Sequence, residues 1–326
     1  MSKNCVLNSE RRIEMTIEEL SDELISYGKE QKMQDMYLYL LNEQAIIYFR
    51  KNAQLFKYKE LSYEQAQQLI SRFKYLGEMD VGEKRKAQLG AISYLIKDDT
   101  QRLRLSTVGD YQGNESLVIR FLYNLKQEKP AYFFPQDAEL IQQKIQKERG
   151  LYLFSGPTGS GKTTLMYHIA QYTKGQVITI EDPVEIEEPK FLQLQTNEKI
   201  QQTYDQLIKL SLRHRPDLLI IGEIRDQLTA KAAIRAALTG HTVLATVHAK
   251  GVLETKGRLL DLVGSQTELG DCLNGVIYQQ LFLDSQKESR ALLAYEFFTG
   301  ESEQRQWTKA YAQAQKEGLL DIEKKT

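Results

Sequence analysis

The feature that most constrains this chain is a glycine-rich loop at residues 156–163, with the sequence GPTGSGKT. It fits the pattern G-x-x-x-x-G-K-[ST] and lies between an apolar run at residues 151–155 and a segment able to form a helix. Glycines allow successive backbone N–H groups to turn towards phosphate oxygens without clashes from Cβ atoms. The positive end of the following helix strengthens this attraction. The loop therefore predicts a site for ATP or GTP.

The residue types in the loop also predict how the nucleotide is held. Lys162 is placed to reach the β- and γ-phosphates, and the hydroxyl of Thr163 is placed to ligate Mg²⁺. ATP and Mg²⁺ are therefore the predicted cofactors. The full set of predicted nucleotide-binding residues is Gly156, Pro157, Thr158, Gly159, Ser160, Gly161, Lys162, Thr163 and Thr164.

The length of 326 residues is enough for two domains, each with its own core. We predict an α+β N-terminal domain over residues 1–125, a linker over residues 126–137 and a P-loop domain over residues 138–326. The linker prediction depends on the segment KQEKPAYFFPQD, which contains two prolines and has no regular hydrophobic period. In the P-loop domain, strands alternate with helices, which favours a mostly parallel sheet with helices on both faces.

The N-terminal domain shows local signals for two helices and several strands. Thr16 with Glu19 and Ser62 with Gln65 have the spacing of capping boxes, each followed by an apolar stripe of helical period. Runs rich in β-forming residues predict two hairpins and one further strand. The hairpins pair residues 37–41 with 45–49 and residues 92–96 with 103–107, and the further strand covers residues 117–122.

The charge balance and the cysteine count exclude several classes of protein. The chain has 43 basic and 44 acidic side chains, a net charge of −1, which argues against a broad cationic surface that grips nucleic acid. Cys5 and Cys272 are too few for a disulfide framework or a cysteine zinc site. The chain has no apolar run near 18 residues and its start lacks the apolar core of a signal peptide, so we expect a cytoplasmic protein.

Three downstream segments place polar groups at the ends of apolar strands, where open parallel sheets bind ligands. They cover residues 177–185, 212–226 and 239–248. Their carboxylates are suited to holding Mg²⁺ through water or to orienting an attacking water, and their histidines to contacting phosphate. The residues concerned are Glu181, Glu185, Glu223, Asp226, His241 and His248. Two structural alternatives stay open, a helix-start role for Asp226 and a core position for His248.

The loop GPTGSGKTT, the acidic box ITIEDPVE, the segment GEIRD and the histidine box TGHTVLATVH occur in this order. In these motifs the chain resembles the secretion and type IV pilus ATPases of the P-loop class with additional strands. The resemblance implies an α/β fold, with a RecA-like P-loop ATPase domain preceded by a smaller α+β, PAS-like domain. It also implies a hexameric ring that hydrolyses ATP.

The resemblance assigns a role to each matching residue. Glu181 matches the glutamate credited with activating water. Glu223 matches the Walker B glutamate, which we expect to hold Mg²⁺ partly through water and which is the alternative candidate for the general base. Arg104 and Arg120 match arginines that stabilise charge on the transferring phosphoryl group, although a strand arginine alone usually indicates a solvated face. His248, like His241, matches a histidine that relays the nucleotide state. We expect Glu181, Glu223, Arg104, Arg120 and His248 to be catalytic.

Departures from the family pattern indicate a branch. The usual Gln-Arg-Leu is Gln279-Gln280-Leu281 here, the usual Pro-Gln-Asp-Gly is the segment AQLG at residues 87–90, and no tetracysteine zinc loop exists. A short, zinc-free chain of this kind resembles the family branch that assembles the competence pilus of Gram-positive bacteria. The implied function is a cytoplasmic hexameric motor at the inner face of the membrane, where it drives a polytopic platform protein and, through it, pilins. The alternatives are a retraction ATPase, a nucleotide-dependent scaffold and a direct DNA translocase, although we expect no direct nucleic-acid binding.

Overall fold

The computed structural model describes residues 15–41, 44–51, 54–96, 99–123, 130–197, 200–300 and 303–320. The chain divides into two compact units, Met1–Tyr123 and Asn124–Thr326. Cys5, residues 42–43 and 97–98 of the predicted hairpin turns, and residues 124–129 lie outside the described residues.

In its described residues, unit 1 contains two helices and a six-stranded antiparallel sheet. Its elements are α1 (Ile17–Glu30), β1 (Asp35–Leu41), β2 (Gln44–Lys51), β3 (Gln54–Ser62), α2 (Tyr63–Leu76), β4 (Gln88–Ile96), β5 (Asp99–Gly109) and β6 (Glu115–Leu122). The strand order is β3-β2-β1-β6-β5-β4. Apolar side chains from α1 and α2 join those of the sheet in one buried core.

Both helices of unit 1 begin at the capping boxes predicted from the sequence. The hydroxyl of Thr16 accepts from the N–H of Glu19 at 3.2 Å, and the carboxylate of Glu19 accepts from the N–H of Thr16 at 2.8 Å. Ser62 and Gln65 make the same reciprocal pair at the start of α2. These contacts satisfy N–H groups that have no partner within the helix. The two helix predictions are confirmed.

The predicted hairpins of unit 1 form, and the structure adds one strand that the sequence did not predict. β1 pairs with β2 and β4 pairs with β5, both antiparallel, and β4 begins at Gln88 rather than at residue 92. The additional strand is β3, whose sequence QLFKYKELS is largely exposed. Because β3 lies at the edge of the sheet, only a short part of it needs apolar side chains, and the alternating pattern is weak.

A buried ion pair ties the end of α2 to the start of β6. The Nζ of Lys74 lies 2.7 Å from the Oε1 of Glu115, and Lys74 also donates to the backbone oxygen of Glu83 at 2.7 Å. Lys74 is fully buried and Glu115 nearly so. Since a buried charge is tolerated only when paired, each partner depends on the other.

Unit 2 is an α/β unit built on an eight-stranded mixed sheet. Its helices are α3 (Pro135–Lys147), α4 (Lys162–Ala170), α5 (Tyr204–Ser211), α6 (Gln227–Leu238), α7 (Val252–Val263), α8 (Gln266–Gly270) and α9 (Trp307–Lys316). Its strands are β7 (Leu151–Ser155), β8 (Val177–Glu181), β9 (Leu192–Gln195), β10 (Leu218–Ile221), β11 (Thr242–Thr246), β12 (Leu273–Leu283), β13 (Ser289–Phe297) and β14 (Gln304–Arg305).

The sheet of unit 2 has the order β14-β13-β12-β7-β11-β10-β8-β9. The pairs from β12 to β9 are parallel, and β13 and β14 extend the sheet in antiparallel pairing. The fold class is therefore α/β with a mixed sheet. The glycine loop directly follows one of its parallel strands, and each of the three downstream motif segments contains one. Strand β7, which leads into the glycine loop, is fully buried in the middle of this sheet.

The start of unit 2 differs from the predicted linker at residues 126–137. Helix α3 begins at Pro135, inside that range, because proline is suited to the first helical position and the preceding Phe133 and Phe134 are buried in an apolar cluster. Asp137 is also buried, with its Oδ2 3.0 Å from the Nε of Arg305. Burial raises the pKa of Asp137, and the positive charge of Arg305 opposes this shift. The described part of this segment is thus packed helix and core.

Candidate nucleotide site

The glycine loop between β7 and α4 adopts a backbone that only glycine tolerates well. Gly156, Gly159 and Gly161 have φ values of 140°, 75° and 83°. Side chains disfavour this region because the Cβ would crowd the backbone. Gly161 immediately precedes α4 and is its N-cap, so the loop ends at the positive end of that helix. The geometry is that of a cradle for an anion.

Lys162 is the cation of this loop and is 8% exposed. Its Nζ donates to the backbone oxygens of Gly156 at 3.0 Å and Pro157 at 2.9 Å. Burial lowers the pKa of Lys162, and the carboxylates of Glu223 and Glu185 act in the opposite direction. The side chain thus lies folded over the loop, with two carboxylates close enough to influence its charge.

Glu223 follows β10 and lies in a small cluster of charged groups. Its Oε2 accepts from the Nε of Arg225 at 2.6 Å, and its Oε1 lies 3.2 Å from the Nε2 of His248. The Arg225 guanidinium also approaches Asp182 at 3.9 Å, and the hydrogen bond with Glu223 raises the pKa of Arg225. The structure therefore brings the predicted residues Glu223 and His248 together, with Arg225 as a neighbour that the sequence did not single out.

Glu181, at the end of β8, is in a different environment. It is only 3% exposed, and its Oε1 accepts hydrogen bonds from the hydroxyl of Tyr167 and from the Oγ1 of Thr179, the latter at 2.7 Å. Burial raises the pKa of Tyr167, and the negative charge of Glu181 adds to this shift. The amide of Gln193 donates to the Tyr167 hydroxyl at 2.7 Å. This oxygen of Glu181 is therefore occupied within a buried network.

Glu185 is the other glutamate of the acidic segment, four residues beyond Glu181. It is exposed, and its carboxylate interacts electrostatically with Lys162. Glu185 and Glu223 are thus two carboxylates that act on the charge of the loop lysine. The family resemblance assigned the water-activating role to Glu181 and gave Glu185 no such role, and spacing alone does not reveal which of the two is buried.

Two predicted polar residues have structural partners. Asp226 is the N-cap of α6, and its carboxylate accepts from the N–H of Thr229 at 2.8 Å, which confirms the structural alternative for this residue. The Nδ1 of His241 lies 3.1 Å from the backbone oxygen of Ala236 and 3.2 Å from the hydroxyl of Thr239. That ring nitrogen is therefore engaged at the end of α6.

Arg104 and Arg120 lie in unit 1 and are direct partners across the pair of strands β5 and β6. Residues opposite each other in a sheet point to the same face, so the two guanidinium groups share one face. The Nε of Arg120 donates to the Oδ1 of Asp35 at 2.9 Å, and half of the Arg120 side chain is exposed. The structure therefore joins the two predicted arginines as one pair.

The donor set suits Mg²⁺ bound together with a nucleotide. Thr163 lies in the first turn of α4, next to Lys162, and Glu223 follows β10, which is separated from β7 by β11 in the sheet. The described residues contain no group of three or more histidine, cysteine or acidic side chains arranged to hold a metal alone. A hydroxyl and a carboxylate fit a hard cation whose other ligands are phosphate oxygens and waters.

Across the described residues, no helix is long and apolar enough to cross a membrane.

A glycine cradle between a central parallel strand and a helix, with carboxylates after other strands of the same parallel sheet, defines a protein of the P-loop class. A family model described as "Type II/IV secretion system protein" matches residues 10–320. The chain belongs to this family.

Two relatives agree with this membership, and one solved structure has a similar fold. The chain is 47% identical to a Competence protein ComGA of Streptococcus pneumoniae, over 81% of this chain and 84% of that protein. It is 38% identical to a Competence protein ComGA of Bacillus subtilis, over 82% of this chain and 76% of that protein. The fold is similar to that of the Legionella pneumophila ATPase DotB, with a TM-score of 0.76 at 20% identity, covering 93% of both chains.

Proposed function

We propose that this chain is an ATP-hydrolysing motor that drives the assembly of a competence pilus, a type IV-like pilus used in DNA uptake. The observation that carries the proposal is the position of Lys162, buried in a glycine cradle and under the influence of two carboxylates, Glu223 and Glu185. Membership of the secretion family and the similarity to two proteins named Competence protein ComGA support the choice of process.

In the binding step, Lys162 exchanges its hydrogen bonds to the carbonyls of Gly156 and Pro157 for bonds to phosphate oxygens. An ammonium group in a site of low dielectric attracts phosphate more strongly than it would in water. The loop N–H groups hold the remaining phosphate oxygens. Thr163 and Glu223 would hold Mg²⁺, the latter partly through water, and the metal when bound would neutralise phosphate charge.

In the hydrolysis step, a carboxylate orients the attacking water and accepts its proton. Glu185 suits this role better than Glu181, because Glu185 is exposed and acts on Lys162 whereas the Oε1 of Glu181 already accepts two hydrogen bonds. For His248, whose Nε2 lies 3.2 Å from the Oε1 of Glu223, we propose the role that the family resemblance gives it, relaying the nucleotide state. For the arginine pair of unit 1 we propose the role that the family resemblance gives it, stabilising charge on the phosphoryl group.

The remaining parts of the proposal concern assembly and location. We propose that the chain forms a homohexamer, with a RecA-like unit 2 and a PAS-like unit 1, at the cytoplasmic face of the membrane. Its partner there is a polytopic platform protein, which passes the motion to pilins. A net charge of −1 gives no broad attraction to phosphate backbones, so the motor need not hold DNA itself.

The test compares Lys162→Ala with Lys174→Ala, which removes an exposed lysine of the same unit. We expect Lys162→Ala to abolish ATP turnover and to lower the affinity for a fluorescent ATP analogue, because the loop loses its cation. Lys174→Ala serves as the matched control and should keep the ATP turnover and the affinity for the analogue of the wild type. Cells that make the Lys162→Ala variant in place of the wild-type protein should lack competence pili. ATP turnover and pilus formation that survive Lys162→Ala would refute the proposal.

Further outcomes separate the alternatives. Deletion of the gene should abolish pili, whereas excess pili would indicate a retraction motor. ATP binding without turnover by the assembled ring would indicate a nucleotide-dependent scaffold. Salt-sensitive binding of DNA by the purified protein would indicate a direct translocase, because phosphate contacts weaken as salt rises.

A further inference from the structure

Strand β12 delivers one glutamine directly beneath the glycine loop. β12 runs parallel to β7, and Tyr278 of β12 pairs with Ser155, the last residue of β7. The next residue, Gln279, therefore lies beside Gly156, where the loop begins. Gln279 is 3% exposed, so its polar amide is buried between the sheet and the loop.

Gln279 contacts both ends of the loop. Its Nε2 donates to the backbone oxygen of Ser160 at 2.6 Å. Its own backbone oxygen would lie 2.0 Å from a Cβ built on Gly156, and its Nε2 would lie 2.8 Å from a Cβ built on Gly161. The first glycine and the third are thus needed because Gln279 packs against the backbone of the loop.

The hydrogen bond to Ser160 has a consequence for the next N–H group. In a trans peptide, the carbonyl of one residue and the N–H of the following residue point in opposite directions. Because Gln279 holds the Ser160 carbonyl towards its own side chain, the N–H of Gly161 is turned away from Gln279. A peptide rotated the other way would present a carbonyl oxygen to phosphate and repel it.

Two buried oxygens at this place lack partners. The Oε1 of Gln279 and the Oγ of Ser160 find no hydrogen-bond partner within the described part of the chain, although both residues are 3% exposed. An unpaired buried acceptor costs folding free energy, and a functional role is one of the reasons for which such a group occurs in a native structure. We therefore assign the Gln279 side chain to the conformation of the loop rather than to the packing of the core.

We propose that Gln279 is a positioning residue of the phosphate loop, which holds the Ser160 carbonyl inward so that the Gly161 N–H faces the phosphates. The proposal rests on the proposed function, since it assumes that the loop binds ATP. The residue concerned is not Gln280, which stands where the family pattern Gln-Arg-Leu usually has arginine. The side chain of Gln280 is half-buried, and its Oε1 lies 3.4 Å from the Tyr278 hydroxyl, so it serves as a control.

The experiment compares Gln279→Leu with Gln280→Leu in the full chain. The readouts are the affinity for a fluorescent ATP analogue, the KM and kcat for ATP, and the melting temperature with and without nucleotide. We expect Gln279→Leu to weaken ATP binding and raise KM at least tenfold, with a smaller change in kcat and with the melting temperature of the free protein retained. Gln280→Leu should bind ATP as the wild type does.

A second variant keeps the size of the side chain and adds a readout that a purely structural role would not change. In Gln279→Glu, an ionised carboxylate faces the Ser160 carbonyl and repels it, whereas the protonated acid donates to it as the amide did. The affinity for ATP, expressed relative to wild type at each pH, should therefore recover as the pH falls through the pKa of the introduced acid.

Three results would overturn the proposal. They are ATP affinity of Gln279→Leu within twofold of wild type, a lower melting temperature with unchanged ATP affinity, and a relative affinity of Gln279→Glu that does not vary with pH. If the wild type itself bound no ATP, the proposed function and this inference would both fail. If the wild type bound ATP and the Gln279 variants matched it, only this inference would fail.

Discussion

Glu181 and Glu185, two glutamates of the acidic segment, should differ in what their substitution changes: one should affect mainly stability and the other mainly catalysis. Glu185→Gln changes an exposed side chain, and exposed substitutions usually alter the free energy of unfolding by less than about 0.5 kcal/mol. The same change removes the carboxylate that we place beside Lys162 as the proton acceptor. Loss of a general base typically lowers kcat by about 10²–10⁴. We therefore expect a stable variant with almost no turnover.

Glu181→Gln should show the opposite balance. One oxygen of Glu181 accepts from both Tyr167 and Thr179 in a buried site. Hydrogen bonds to a charged acceptor contribute about 1.5–3 kcal/mol and neutral ones about 0.5–1.5 kcal/mol, so the change costs about 1 kcal/mol for each bond. The total of about 2 kcal/mol lowers the melting temperature by roughly 4–8 °C in a domain of this size class. Turnover by the folded fraction should fall much less than in Glu185→Gln.

The assay measures phosphate release and the melting temperature for both variants, with Glu187→Gln as a control at an exposed glutamate of the same segment. The control should match wild type in both readouts. The reasoning is refuted if Glu185→Gln turns over ATP at the wild-type rate. It is also refuted if Glu181→Gln keeps its melting temperature and loses turnover, because Glu181 would then be the base.

Three further predictions follow from contacts outside the loop. Lys74→Met leaves the buried carboxylate of Glu115 without its partner, so the free energy of unfolding measured with urea should fall by about 3–5 kcal/mol. The double variant Lys74→Met/Glu115→Leu should recover most of this free energy, and an equal loss in the two variants would contradict the reasoning. Asp226→Ala removes the cap of α6 and should cost about 1 kcal/mol in the same assay without changing ATP affinity, whereas a loss of affinity would point to a role at the site. Burial raises the pKa of the Cys272 thiol to about 11, so in a Cys5→Ser background its labelling at pH 8 should be slow, since only roughly 0.1% is thiolate. Labelling should accelerate as the pH rises towards 11 and on unfolding, and fast labelling of the folded protein at pH 8 would contradict the burial.

Signals that act over a few residues were predictable from the sequence. Both capping boxes link positions three apart, and the phosphate loop combines fixed spacing with the strand and helix on either side. Strand β3 was missed because an edge strand with one mostly exposed sequence lacks the alternation that marks half-buried strands. Helix α3 extended into the predicted linker because Pro135, there a helix-starting residue, looks like a turn residue in sequence.

Contacts between distant residues were not predictable. Glu181 and Glu185 have the same chemistry, and only the fold decides that one joins a buried network with Tyr167 and the other stays exposed. Gln279 lies 119 residues from its partner Ser160, so spacing carries no information about their contact. Arg104 and Arg120 were expected on two strands, but their direct pairing depends on the register of β5 and β6.

The position of β7 in the sheet has a consequence for the nascent chain. β7 is hydrogen-bonded to β11 on one side and to β12 on the other, and β12 is made more than a hundred residues after the loop. Until that strand leaves the ribosome, the loop has no Gln279 behind it and β7 exposes an unpaired edge. We expect ribosome-bound chains that end after β11 not to retain an ATP analogue, and chains that extend beyond β13 to retain it. We therefore expect the nucleotide to stabilise this protein only late in its synthesis, when most of unit 2 already exists.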